Sequence, residues 1–230
     1  MDDAQEIGLR YYFSGVHLRT ARIFGCECRA IECAYGPGDW QEIVSRYQAF
    51  AIGAVFAAVA GLEAGINEVF VDAVAWQEEN RTEATRSRPD GVLNGLDTCV
   101  VRRLAESWTK FERRDVMSKC NKALADAGLP KMAPAEIEET KLVIKLRNEL
   151  VHYKPKTEWL ETGTGSRETN RVLVELENKF APSPFFEDTA DPFFPRKCLG
   201  YGSASWALDS IESFLREFHR RMGTTPSYLT

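Results

Sequence analysis

The sequence predicts an all-α protein, an antiparallel helical bundle with a long irregular Pro/Phe-rich loop before its last helix. Three observations lead there. Apolar residues recur every three or four positions through long stretches of the 230-residue chain. Breaks rich in Gly, Pro and Asp separate those stretches. No alternating apolar runs flank a hairpin turn, and no repeat of solenoid length is visible. With 44% apolar and 27% charged residues, the chain can bury one sizeable core without metals or disulfides. The expectation is a single helical domain over 1–230, with a core bundle at about 5–155 and a closing helix at about 203–222.

Residues 5–34 read as the first helix, because Ile7, Tyr11, Tyr12, Val16, Ile23 and Phe24 recur at helical spacing. Gly36-Pro37-Gly38-Asp39 breaks it, with Asp39 as an N-cap for the next. The second helix runs about 40–79. Ala54, Ala58, Gly61 and Gly65 mark one stripe, and Val55, Val59, Leu62 and Ile66 mark another. A helix apolar on two sides is wedged between neighbours, so this one is expected at the centre of the bundle. Residues 80–94 are polar and contain Pro and Gly, the composition of a loop. Helices follow at about 95–111 and 115–127, the latter closed by Gly128. Pro134 opens another at its favoured first-turn position, with Glu136, Glu138 and Glu139 near its positive end. That helix runs to about Tyr153 and must stop before Pro155.

Residues 171–180 fit a helix or a strand equally. From Ala181 to Pro195 the chain carries two Pro-Phe-Phe units. So many prolines forbid regular structure. Four phenylalanines either lie across the bundle as a packed loop or offer an aromatic docking site for a partner. The last helix, about 203–222, sets Ala207, Ile211, Phe214, Leu215, Phe218 and Met222 at helical spacing.

Composition excludes several function classes. A net charge of −5 excludes a general polyanion binder, so nucleic acid must be met by a local basic patch. Arg102, Arg103, Lys110, Arg113, Arg114, Lys119 and Lys122 form one such span, which is either a solvated face or a track for an RNA backbone. The N-terminus lacks the basic start and apolar run of a signal peptide. The most apolar stretch, Ala49 to Leu62, is short and is followed by Glu63. These features give the expectation of a cytoplasmic chain with no membrane contact. Cys26, Cys28 and Cys33 are clustered, and Cys99, Cys120 and Cys198 are scattered. A Cys-x-Cys without a second pair is poor zinc spacing, so neither metal nor cofactor is expected, and the thiols read as reduced and packed along helices. His17 and His219 have no sequence neighbours that suggest chemistry.

The informative residues are polar ones on apolar helix faces. On a helical wheel Glu63 and Asn67 fall among Phe56, Val59, Ala60, Phe70 and Val74. Arg147 falls among Thr140, Val143, Ile144, Leu150 and Val151. A buried charge needs a partner, so Arg147 is expected to meet Glu63 or Asn67 across the helix interface. His152 lies five residues on, about 140° around the wheel, beside Asn148 and Lys145 on the polar face. Ideal geometry in one protomer therefore does not converge Arg147 and His152. Either the last turn unwinds, or both residues serve a groove between two copies of the helix.

Lys145-Leu-Arg-Asn-Glu-Leu-Val-His-Tyr153, with its Arg-x4-His spacing at the end of a late helix, resembles the motif of the HEPN superfamily (higher eukaryotes and prokaryotes nucleotide-binding domains). Leu62-Glu-Ala-Gly-Ile-Asn-Glu68 is similar to the Glu-plus-Asn helix common there. The resemblance covers roughly 45–155. It implies an all-α homodimer acting on RNA: a metal-independent endoribonuclease of toxin or defence type, with an antitoxin protein as partner. The motifs of both protomers would line one cleft, with Arg147, Asn148 and His152 catalytic and Glu63 and Asn67 supporting. It also implies an alternative, a non-catalytic dimeric scaffold that binds a protein or a nucleotide. The chemistry suits the residue types. Histidine moves protons near neutral pH, and an arginine fork stabilises charge developing on a phosphate. The product would be a 2′,3′-cyclic phosphate.

Overall fold

The computed structural model describes residues 10–35, 40–80, 89, 91–154, 175–187, 189 and 191–229, with the side chains of the second helix described from residue 43. Among these residues there are six α-helices and no strand. They are α1 (Ser14–Ala34), α2 (Trp40–Glu79), α3 (Thr98–Phe111), α4 (Val116–Asp126), α5 (Pro134–Val151) and α6 (Tyr201–Met222). The predicted all-α bundle is what forms. Asp39 and most of the 80–94 loop lie outside the described residues, as does the start proposed for the first helix at residue 5.

The central position expected for α2 is the one it occupies: it packs against all five other helices. Its small residues set those distances. A Cβ on Gly61 would sit 2.7 Å from the Leu18 side chain, and one on Gly53 would sit 2.6 Å from the Phe24 ring. Hydrogen at these positions lets α1 seat its side chains in notches on α2. One hydrophobic cluster, which includes Leu18, Tyr47, Phe70, Leu104, Leu146 and Phe218, draws on every helix. By length and composition Ile43–Glu79 could cross a membrane, with a mean hydropathy of 1.9 in its most apolar window. The predicted limit set by Ala49–Leu62 was therefore too short. More than half of that window is buried within the protein, as a core helix requires.

α1 departs from its sequence pattern. Tyr11, Tyr12, Val16 and Ile23, which suggested the buried stripe, are exposed. The face in the core is instead Ser14, Leu18, Ala21, Gly25, Cys28 and Ile31. Both stripes have helical spacing, and close approach to α2 selects the one with smaller side chains. α1 begins at Ser14 because α2 supplies its cap. The Glu68 carboxylate accepts from the Phe13 and Ser14 backbone N–H groups at 3.0 and 2.9 Å, and from the Ser14 hydroxyl at 2.6 Å. One turn later on α2, Asp72 accepts from Arg10 and Tyr12.

Asp97 and Asp115 cap α3 and α4, accepting from the backbone N–H groups of Cys99 and Ser118. The Ser118 hydroxyl and backbone bonds hold the Asp115 carboxyl below its usual range. Pro134 stands at the first turn of α5 as predicted, and Glu136 accepts from the Ala133 N–H at 2.5 Å.

Between α5 and α6, residues 175–180 form turns, neither the helix nor the strand expected over 171–180; 171–174 lie outside the described residues. In the Pro/Phe segment, Phe185 and Phe186 are buried, and Phe193 and Phe194 are half-buried against the core. Phe185 sits edge-on to Tyr47, and Phe193 packs on Phe180, which packs on Trp206. These contacts place the segment's aromatic rings on the bundle.

Candidate functional site

The site predicted across the α2–α5 interface forms in part. An Arg147 Nη2–H donates to Glu63 Oε1 at 2.6 Å, the ion pair expected from the two helical wheels. Glu63, however, is 47% exposed at its side chain and Arg147 27%. They stand at the rim of the buried stripe, not within it, because the wheel gives direction and not depth. Arg147 Nε lies inside the rim with no hydrogen-bond partner among the described residues.

Asn67 does not join Arg147. It accepts from Lys119 Nζ at 2.7 Å, so α4 contributes a residue of the basic span that the sequence reading left as a solvated face or a track for an RNA backbone. Lys119 is buried. Its ammonium lies 5.3 Å from the Trp108 ring centroid, and Trp108 stacks on Phe70. Burial lowers the Lys119 pKa, opposed most by the charge of Glu63. A signal for this was present: Lys119 falls at helical spacing with Val116, Cys120 and Ala123, the apolar face of α4. Glu63, Asn67, Lys119 and Arg147 thus form one polar cluster drawn from α2, α4 and α5.

Other members of the predicted basic span are also tied down. Arg103 donates to the Asp126 carbonyl at 2.6 Å, and Lys122 pairs with the Asp126 carboxylate. Ser107 bonds the second oxygen of that carboxylate. Arg102, Lys110, Arg113 and Arg114 stay exposed.

Asn148 and His152 face solvent, as the wheel predicted. α5 ends at Val151, and His152 is its C-cap at φ −102° and ψ 23°, with its N–H bonded to the Asn148 carbonyl at 2.9 Å. The helix therefore ends at His152 with its last turn still closed by that bond. Among the described residues no hydrogen bond or ion pair connects His152 or Asn148 with Arg147, whose guanidinium remains with Glu63. The four residues Lys141, Lys145, Asn148 and His152 follow one another at spacings of four, three and four along one side of α5. Tyr153, just beyond, lays its ring against Phe194 at 5.9 Å.

A wide groove lies elsewhere. About 590 Å³ opens between α5 and α6, lined by Glu136, Glu139, Lys179, Trp206, Asp209 and Glu217 among others. Burial raises the Glu139 pKa, but bonds from Lys179 and Trp206 outweigh it, and the net shift is downward. A groove so rich in carboxylates repels a phosphate backbone.

The cysteines are free. Cys28, Cys120 and Cys198 are buried as expected, whereas Cys26, Cys33 and Cys99 are exposed. Desolvation pushes the Cys28 thiol up to about 12, so it is an inert packing residue. Among the described residues no three His, Cys, Asp or Glu side chains gather as a metal site. His219 has partners the sequence reading missed: its ring nitrogens lie 2.7 Å from Thr224 Oγ1 and 2.7 Å from Tyr228 Oη, and burial drives its pKa down to about 4. A histidine so enclosed is structural.

In comparisons with known proteins, no family model, no curated protein and no solved structure matches this chain.

Proposed function

We propose that this protein binds RNA along the outer side of α5 and cleaves it without a metal, as a HEPN-like endoribonuclease of toxin or defence type. The observation that carries the reading is the row Lys141, Lys145, Asn148 and His152, exposed except for the half-buried Lys145 that pairs with Glu175, which ends in an imidazole at the open C-cap of the helix. The lysines neutralise successive backbone charges, a sequence-independent contact. His152 moves the proton of the 2′-hydroxyl, or supplies one to the departing 5′-oxygen. The new bond joins the 2′-oxygen to phosphorus as the phosphorus–5′-oxygen bond breaks, giving a 2′,3′-cyclic phosphate. Asn148, one turn before His152, donates to a phosphate oxygen. Arg147 supplies fixed positive charge at the rim, held in place by Glu63.

Because Arg147 and His152 diverge within one chain, both complete a cleft only where a second copy brings its own α5 alongside. An antitoxin protein would then act by covering the same face. The test is growth after induced expression. The reading requires wild type to arrest growth and the His152→Ala variant, expressed to the same level, to relieve the arrest.

A second reading has its own support. Arg147 is committed to Glu63, as a purely structural arginine would be. A non-catalytic scaffold that binds a protein or nucleotide would leave growth unaffected by either form.

A further inference from the structure

The exposed stripe on α1 has a regularity that an ordinary solvent face lacks. Val16, Ile23 and Ala30 are spaced by seven, and Arg19, Cys26 and Cys33 are spaced by seven between them. This is the alternating three- and four-residue spacing of a coiled-coil seam. All of these residues are exposed, Val16 and Ile23 each at 53%. The core-facing residues Leu18, Ala21, Gly25 and Cys28 lie on the opposite side of the helix. Arg19 is the one charged member of the outer stripe. The α1 helix is therefore apolar twice over, and the described residues cover one side.

We propose that the occupant of the other side is a second copy of this chain, with the two α1 helices parallel and in register. Charge complementarity selects both the partner and the direction. Arg22 and Glu27 flank the stripe on opposite sides, five residues apart. In a parallel pair that spacing sets Arg22 of each chain beside Glu27 of the other, twice by symmetry. In an antiparallel pair the same flank brings Arg22 against Arg22 or Arg29, a repulsion without compensation. Both groups are accessible: Arg22 is 59% exposed and Glu27 44%, each also reaching an intrachain partner. Arg19 meets its own copy at the seam and extends its head to water along its apolar stem. The stripe from Val16 to Cys33 is roughly 26 Å long at 1.5 Å per residue. Two such helices bury on the order of 1,000 Å² in total, about the minimum for a specific interface. This interface is separate from the α5 contact between copies that the RNA reading calls for, and it does not depend on that contact.

The experiment uses the full chain. Light scattering after size exclusion, at tens of micromolar, is expected to give at least twice the mass of one chain. The double variant Val16→Asp, Ile23→Asp changes two exposed positions, so it keeps its helical circular dichroism while its dimer dissociation constant rises at least about tenfold. Direction is read from Cys33. In a Cys26→Ser, Cys99→Ser background, a short bismaleimide joins Cys33 to its copy across a parallel seam. In an antiparallel one the two sulfurs lie more than about 20 Å apart and do not couple. A monomeric wild type, a dimer indifferent to the double variant, or no Cys33 coupling each overturns the proposal.

Discussion

His219 makes the stability of this protein depend on pH in a narrow window. Its ring is buried between Phe218 and Tyr228 and bonded to Thr224 and Tyr228, and burial takes its pKa from 6.5 to about 4. Above pH 6.5 the ring is neutral in both folded and unfolded chains, so it exerts no pH effect. Between pH 6.5 and about 4 the unfolded chain binds the proton and the folded chain does not, so stability falls as pH falls. Below about 4 both bind it and the loss stops. A gap of about 2.5 pH units, at about 1.4 kcal/mol each, corresponds to about 3 kcal/mol. The assay is urea unfolding of wild type and His219→Gln from pH 7 to pH 4. Carboxylates titrate in both proteins, so the difference between them isolates the imidazole. At pH 7 the variant is expected to be less stable by about 1–2 kcal/mol, having lost a buried bond. By pH 4 that deficit closes or reverses. A stability difference constant across the range would refute the reasoning.

Two further outcomes follow from the packing. The Arg147–Glu63 pair is partly exposed, so a double-mutant cycle with Arg147→Met and Glu63→Gln should give a coupling of about 1 kcal/mol or less by chemical denaturation. A coupling of several kcal/mol would mean that the pair is buried in solution. Phe186→Ala is expected to cost about 3–5 kcal/mol, and Phe194→Ala less than about 2 kcal/mol, because Phe186 is enclosed and Phe194 keeps a wet edge. Equal and small costs for both would show that the Pro/Phe segment does not stay docked.

Helix type and order were legible in the sequence because each helix has its own stop signal, from Gly128 to Pro155. Depth was not. Periodicity pointed to one face of α1 while the structure buries another, and that outcome rested on how closely Leu18 and Phe24 could approach Gly61 and Gly53 of α2. That is a tertiary fact with no local signature. The same limit governed the site. The wheels aimed Glu63 and Arg147 at each other, but not the rim on which they meet. Asn67 went to Lys119 because α4 enters the same junction, which α2 and α5 alone could not reveal. His219 lacked near neighbours in sequence, since Thr224 and Tyr228 return to it only through the turn after Met222.

The claim that α5 presents a cleaving imidazole is tested most directly by incubating purified protein with a structured RNA in excess EDTA and analysing the ends. The account predicts fragments bearing 2′,3′-cyclic phosphates, and a rate at least about a hundredfold lower for His152→Ala at unchanged helicity. RNA left intact by the wild type, or cleaved equally well by His152→Ala, would contradict it.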